Sequence, residues 1–317
     1  MKNLWIMLVA LSVAAVTLAS ARDGPRIDVV FLLDATGSMG DEIDAVKEKI
    51  RDMISDIALG EPAPDVRFGL VAYRDRGDEY VTRAYALTRD IDRVVDDLDR
   101  IEAGGGGDTP ESLNEGLHVA LNDMAWDESA VGLVFLIADA PPHMDYAVDF
   151  DWRDEVQIAA ARGIAVHTIG ASGLDEEGEQ IFRDIAAGTQ GQFQWLVYES
   201  RYTDTDGGEV IVRVEGREAV YTKGDSTWTV EGGFVPVGGG GRGGVLYADA
   251  TTEDGGGSVP TTADGGADTD VSTETNLDDL ITATIKAAAV ETGVDYDGTT
   301  VIQTSSWGEV KVQAGRR

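Results

Sequence analysis

One junction limits the fold of this chain more than any other. The apolar run Ile27-Asp28-Val29-Val30-Phe31-Leu32-Leu33 opens directly onto Asp34-Ala35-Thr36-Gly37-Ser38. A run this rich in Val, Ile, Leu and Phe predicts a strand buried on both faces. Behind it stand three oxygen-bearing side chains at alternate positions, then Met39-Gly40 and an amphipathic segment. A chain leaving a strand in near-extended form points alternate side chains the same way. Asp34, Thr36 and Ser38 therefore converge above the strand's carboxyl end. One carboxylate and two hydroxyls form part of a hard, oxygen-only cage of the kind that suits Mg²⁺, Mn²⁺ or Ca²⁺. The bland alternative is that Asp34 only caps the helix that follows.

The rest of the pattern alternates strand and helix. Ile43, Val46, Ile50, Ile54 and Ile57 give one apolar face to a helix from Asp41 to Ala58. Val66 to Tyr73 and Tyr80 to Leu87 read as strands joined by the short link 74–78, hence a hairpin with an antiparallel edge strand. A second helix is expected over Asp90 to Ile101. A third should start at Pro110, with Leu113, Leu117, Ala120, Leu121 and Met124 as its buried stripe. Gly132 to Ala138 is the next buried strand, and helix, strand and helix follow at Asp151 to Arg162, Ile164 to Ile169 and Leu174 to Ala187. Gln192 to Val197 supplies a sixth strand. Such alternation predicts an α/β fold: a doubly wound, mostly parallel six-stranded sheet with one antiparallel edge strand and helices on both faces.

The ends read differently. Residues 1–21 have Lys2, an apolar stretch from Leu4 to Leu18 and the small residues Ala19-Ser20-Ala21, the pattern of a signal peptide. The expected mature protein is secreted or periplasmic, with no membrane span after cleavage; a retained N-terminal anchor is the alternative. Residues 22–198 form the main domain. Residues 199–275 are expected to hold a small β-hairpin and a flexible insertion rich in Gly, Thr and Asp. A helix at 276–294, with Leu277, Leu280, Ile281, Thr284 and Ala288 on one face, should pack back on the main domain, and 295–317 is a C-terminal tail. The net charge is -33 and there is no Cys. That charge excludes nucleic acid and anionic membrane as non-specific partners, and favours cations. Without disulfides, the fold must rest on its core.

In a doubly wound sheet, ligands sit beyond the carboxyl ends of the strands where the strand order reverses. Three loops belong there. They carry Asp34/Thr36/Ser38, Asp139 after the fourth strand, and Asp108/Thr109 in the run Gly104-Gly105-Gly106-Gly107-Asp108-Thr109-Pro110 before the third helix. No thiolate or imidazole is needed.

Asp34-Ala35-Thr36-Gly37-Ser38 matches the Asp-x-Ser/Thr-x-Ser signature, and the chain from about Ile27 to Val197 resembles a von Willebrand factor A-type domain with its metal-ion-dependent adhesion site. Gly105 to Glu111, with Asp139-Ala140 behind an apolar strand, is most similar to the bacterial and hemicentin-type branch. The resemblance implies one divalent ion, Mg²⁺ first and Mn²⁺ or Ca²⁺ as alternatives, held by Asp34, Thr36, Ser38 and Asp139. A last position is left for an acidic residue of a protein partner. The family's second-loop Thr falls on Asp108, with Thr109 beside it. Either Asp108 binds through water while a hydroxyl contacts the ion, or the ion serves stability more than adhesion.

Other motifs carry less. Arg76-Gly77-Asp78 reads as a hairpin turn before it reads as a recognition tripeptide. His143, after Pro141-Pro142, belongs at the rim of the third loop, whereas His118 on a helix and His167 in a strand read as structural. No nucleophile–base pair, Gly-x-Ser-x-Gly elbow or phosphate loop stands out. The expectation is thus a non-enzymatic, exported adhesion or interaction module. The alternatives are a metal-assisted hydrolase, with Asp108 or His143 as base, and a matrix or envelope protein in which the ion only stabilises the fold.

Overall fold

The computed structural model describes residues 24–107, 109–203, 207–231 and 272–296. The expected signal peptide at 1–21, Asp108, most of the Gly/Thr/Asp-rich insertion and the tail beyond 296 lie outside the described residues.

Strand β1 (Arg26–Asp34) is the centre of the first sheet. It runs parallel to β2 (Asp65–Tyr73) on one side and to β4 (Val131–Ala138) on the other. Outward from β4 come β5 (Ile164–Gly170) and the short β6 (Phe193–Trp195), both parallel. β3 (Thr82–Thr88) pairs antiparallel to β2, giving the order β3-β2-β1-β4-β5-β6. The sequence-based expectation of five parallel strands and one antiparallel edge strand is what the sheet contains. Strand order reverses between β1 and β4, so a crevice opens above their carboxyl ends.

β1 shows why this sheet is buried on both faces. Ile27, Val29, Phe31 and Leu33 join one core, while Val30 and Leu32 join the other. The first core packs under α1 (Gly40–Ile57) and α2 (Ile91–Leu98), the second under α3 (Leu113–His118), α4 (Trp152–Arg162) and α5 (Glu176–Gly188). Asp90, Asp151 and Asp175 cap α2, α4 and α5 by accepting backbone N–H bonds at 3.2, 2.9 and 2.7 Å. Gly116 on α3 lies so near the sheet that an added Cβ would stand 2.9 Å from the Tyr73 ring, so this helix seats on the sheet only with Gly there.

Two local expectations change. The third helix does not begin at Pro110. Residues Glu111 and Ser112 precede α3, and Glu111 pairs its backbone with the loop after β4 instead: Glu111 N–H to Pro141 O and His143 N–H to Glu111 O, each at 3.0 Å. The stripe Leu113, Leu117, Ala120, Leu121 and Met124 is buried, with a π-type turn over Val119–Asp123. The expected sixth strand is also divided. β6 ends at Trp195, and β7 (Val197–Thr203) starts a second sheet.

That second sheet is antiparallel throughout, in the order β10-β9-β8-β7-β11. Its other members are β8 (Glu209–Glu215), β9 (Glu218–Lys223), β10 (Ser226–Glu231) and β11 (Ser272–Thr275). β8 alternates buried Val210, Val212 and Val214 with exposed Glu209, Arg213 and Glu215, the period of a sheet wet on one side. α6 (Leu277–Glu291) buries Leu277, Ile281, Ile285 and Ala289 in the same core as Val46, Ile50 and Ile57 of α1. Tyr296 donates to Ile57 O at 3.1 Å beyond it.

Candidate metal centre

Asp34 ends β1 and is completely buried. Its Oδ1 accepts from Thr36 N–H at 2.9 Å and from Thr36 Oγ1 at 2.7 Å. Thr36 Oγ1 lies 3.4 Å from Ser38 Oγ. The near-extended run of alternate side chains thus brings all three to one place. Asp139 follows directly on β4; burial raises its pKa, and the Ser38 hydroxyl facing its carboxyl offsets part of that rise. Four predicted donors, Asp34, Thr36, Ser38 and Asp139, come together at the switch point. Thr109 sits exposed on the second loop, and Asp108 lies outside the described residues.

The second loop is held through its own backbone groups, by backbone partners and by the Arg74 and Asp78 side chains. Gly104 N–H donates to Ala35 O at 3.0 Å, and Gly37 N–H donates to Gly105 O at 3.3 Å. Gly105 and Gly106 have φ of +78° and +69°, and a Cβ on Gly105 would stand 2.3 Å from Asp78. Arg74 clamps both loops, from Nε to Ala35 O at 3.1 Å and from Nη2 to Glu102 O at 2.8 Å.

The electrostatics show what is missing. Asp34 Oδ2 is buried with no hydrogen-bond partner, and the Tyr73 hydroxyl, which faces it, makes no bond of normal geometry either. Burial first, and then the charge of Asp139, push the Asp34 carboxyl from 3.8 up to about 7. Burial also raises Asp139. Two carboxylates that resist ionisation, one with an orphaned buried oxygen, beside two hydroxyls, fit a hard divalent cation. Among the described residues no three carboxylates or imidazoles are placed to hold an ion by themselves. The Thr36 and Ser38 hydroxyls stand beside the two carboxylates instead.

Sequence reading missed Glu111. It is 4 % exposed, with Oε2 unpartnered, and its carboxyl is pushed up to about 9 by burial and then by Asp34, Asp75, Asp78 and Asp139. As a supposed first-turn helix acid it drew no notice; three residues after Asp108, it was nonetheless on the right loop. Asp75 accepts from Ser112 Oγ at 2.9 Å and from the Tyr146 hydroxyl at 2.8 Å. Arg76 and Asp78 are committed internally. Arg76 binds Glu115 at 2.8 Å and Asp149 at 2.9 Å, and Asp78 accepts from Gly106 N–H at 2.8 Å. Their role is to tie loops together across the turn at Gly77 (φ +105°).

Comparison with known proteins decides the family. The model of the von Willebrand factor A domain matches residues 28–194, more than half of the chain. The chain belongs to the von Willebrand factor A domain family. The alpha-protein kinase vwkA of Dictyostelium discoideum is 31 % identical over 129 residues, 40 % of this chain and 20 % of that protein. Human von Willebrand factor A domain-containing protein 7 is 35 % identical over 118 residues, 37 % of this chain and 12 % of that protein. The chain therefore spans a fifth or less of the length of these relatives. Among solved structures, proximal thread matrix protein 1 from the mussel byssus, with a zinc-occupied adhesion motif, aligns with a TM-score of 0.43 at 16 % identity, covering 54 % of this chain and 41 % of that one. In this A-type domain Asp34, Thr36 and Ser38 stand on the loop after β1, and Asp139 on the loop after β4.

The three His residues lie apart from the donor set. His143 is buried, with Nδ1 2.8 Å from Asp145 Oδ1 and its ring stacked 4.1 Å from Tyr146. His118 bonds Glu155 at 2.9 Å, and burial lowers His167 to about 4. No described helix is long and apolar enough to cross a membrane.

Proposed function

We infer that this A-type domain is a divalent-metal-dependent protein-binding module of an exported protein, and not an enzyme. One observation carries the reading: the buried, unpartnered Oδ2 of Asp34, opposite Asp139 and beside the Thr36 and Ser38 hydroxyls. Asp34 and Asp139 would hold the ion, Thr36 and Ser38 would supply neutral oxygens, and Asp108 or Thr109 would close the ring. The ion, Mg²⁺ with Mn²⁺ or Ca²⁺ as alternatives, supplies a positive centre for an acidic side chain of the partner. Hydroxyl donors suit that purpose, since each neutral ligand leaves more of the ion's charge uncompensated.

Export rests on the signal-peptide pattern of residues 1–21. The test is a thermal melt of the chain in chelator and with each ion, with Asp34→Ala alongside. Saturation at a hundred times the dissociation constant adds ~2.7 kcal/mol. A rise in midpoint that the variant loses supports the site; no rise with any ion overturns it. A hydrolase reading would need turnover of an ester or phosphoester that Asp139→Ala abolishes.

A further inference from the structure

The segment between Asp139 and α4 has two halves. Ala140, Pro141, Pro142 and His143 are buried, and they are zipped to the second loop by the two backbone bonds to Glu111. The second half does the opposite. Met144 is 47 % exposed, Val148 83 % and Phe150 39 %. Among the described residues only Leu59 and Val290 are comparable exposed large apolar side chains, and they lie after α1 and near the end of α6. Scattered exposed apolar residues need no explanation, but three within seven positions beside a metal site do.

Met144 and Phe150, at the two ends of this stretch, are held in place. Met144 Sδ lies 3.9 Å from Asn114 Nδ2, and the Phe150 ring stacks 3.5 Å from His118. Asn114 and His118 are one turn apart on α3, so Met144 and Phe150 lie over neighbouring positions of one helix face, with Val148 between them in the chain. Asn114 donates to His143 O at 2.7 Å and accepts from Trp152 N–H at 3.0 Å, fixing both ends of the loop. Tyr146 bonds Asp75, and Arg76 bonds Asp149 while lying 4.2 Å over the Tyr146 ring. An apolar crest on an ordered loop loses little entropy on binding, which is what a docking surface requires.

We propose that this crest is the second half of the partner's binding surface. It receives a protein loop whose acidic residue goes to the ion and whose neighbouring apolar side chains cover Met144, Val148 and Phe150. Resting on the metal-dependent reading above, it adds the chemistry of the partner. Asp151 beside the crest already pairs with Arg153 at 3.2 Å, but Asp145, its side chain 78 % exposed, borders the crest, so the partner loop carries basic residues outside its apolar ones. A second copy of this chain is disfavoured, because it brings the same net charge of -33.

The experiment measures retention of short cyclic peptides on the immobilised full chain in Mg²⁺. One set carries Glu with apolar and basic neighbours, a second Glu with polar and basic neighbours, and a third Gln with apolar and basic neighbours. Val148→Asp and Met144→Ser are run in parallel, each first shown to keep the ion-induced rise in melting midpoint. The first set should outlast the second by about tenfold, and each variant should remove most of that preference. Equal retention of the first two sets, or variants without effect, overturns the proposal. If the third set equals the first and still fails on Val148→Asp, the crest stands and the acidic-residue reading of the metal site falls. If no set is retained although the ion binds, both fall.

Discussion

Asp34→Asn should stabilise the ion-free protein and abolish its response to metal. The wild-type carboxyl titrates at about 7 in the fold, against 3.8 for an unperturbed Asp. A group raised in this way favours the fold most when protonated, and that contribution is lost as pH climbs from 3.8 towards 7. Each tenfold change in acidity is worth ~1.4 kcal/mol, so holding Asp34 ionised at pH 8 costs the ion-free fold on the order of 4 kcal/mol. The amide retains an acceptor for Thr36 N–H and Oγ1 but has no charge to desolvate. In chelator at pH 8 the variant should melt above wild type by several degrees, ~2–4 °C per kcal/mol at this size. At pH 5, low in that window, the gap should shrink to less than half its size at pH 8. With saturating ion the order should reverse, since only wild type gains the binding term. The assay is scanning calorimetry of both proteins at the two pH values, with and without ion. A variant that melts at or below wild type in chelator at pH 8 would refute the reasoning, and so would a gap independent of pH.

Three further outcomes follow from the same geometry. Glu111→Gln should raise the ion-free melt at pH 7, by up to about 3 kcal/mol, because folding forces a proton onto a carboxyl that is ionised in the unfolded chain; it should also weaken the ion by about tenfold, read by isothermal titration. Arg67→Ala should cost about 3 kcal/mol in urea unfolding. It strands Asp28, its register neighbour across β1 and β2, which is 1 % exposed and keeps the Asp127 N–H bond at 2.8 Å. Ile281→Ala should cost ~2–5 kcal/mol by opening a cavity between α6 and α1, with the ion response unchanged in size. A loss under 1 kcal/mol, on the same scale, would mean that α6 is not part of the main core.

Where the sequence was legible, local pattern and final contacts agreed. The run from Ile27 to Leu33 is buried on both faces because each face meets its own core, and alternation from Asp34 to Ser38 was enough to gather three donors. Where it was illegible, a distant contact overrode the local pattern. Pro110 and Glu111 look like a helix start, but Glu111 takes its backbone partners from Pro141 and His143 some thirty residues on. The break between β6 and β7 has no Gly or Pro to announce it. Leu196 is buried, its N–H bonded to Gly170 O, while Val197 N–H bonds the Asn276 side chain at 2.9 Å. The change of sheet is thus fixed by a residue about eighty positions away. Nothing in the local pattern from Gln192 to Val197 carries that information.

The charge balance around the site bears on why a partner's carboxylate would be welcome. Asp34, Asp139, Glu111, Asp75 and Asp78 act on one another, and the nearby cations are already engaged. Arg74 is turned onto backbone carbonyls, and Arg76 onto Glu115 and Asp149. A third ionised carboxylate would satisfy a divalent ion and blunt its pull on an outside acid. Glu111 avoids this by its setting. Burial and four neighbouring carboxylates keep it protonated near neutral pH, so it adds a polar oxygen without adding charge. With an ion bound, Asp34 and Asp139 would match its two charges, and as long as Glu111 kept its proton an incoming carboxylate would meet a neutral centre instead of an anionic one. The same excess of acid that makes the ion-free site costly thereby holds Glu111 neutral, one negative charge fewer than its carboxylates could carry.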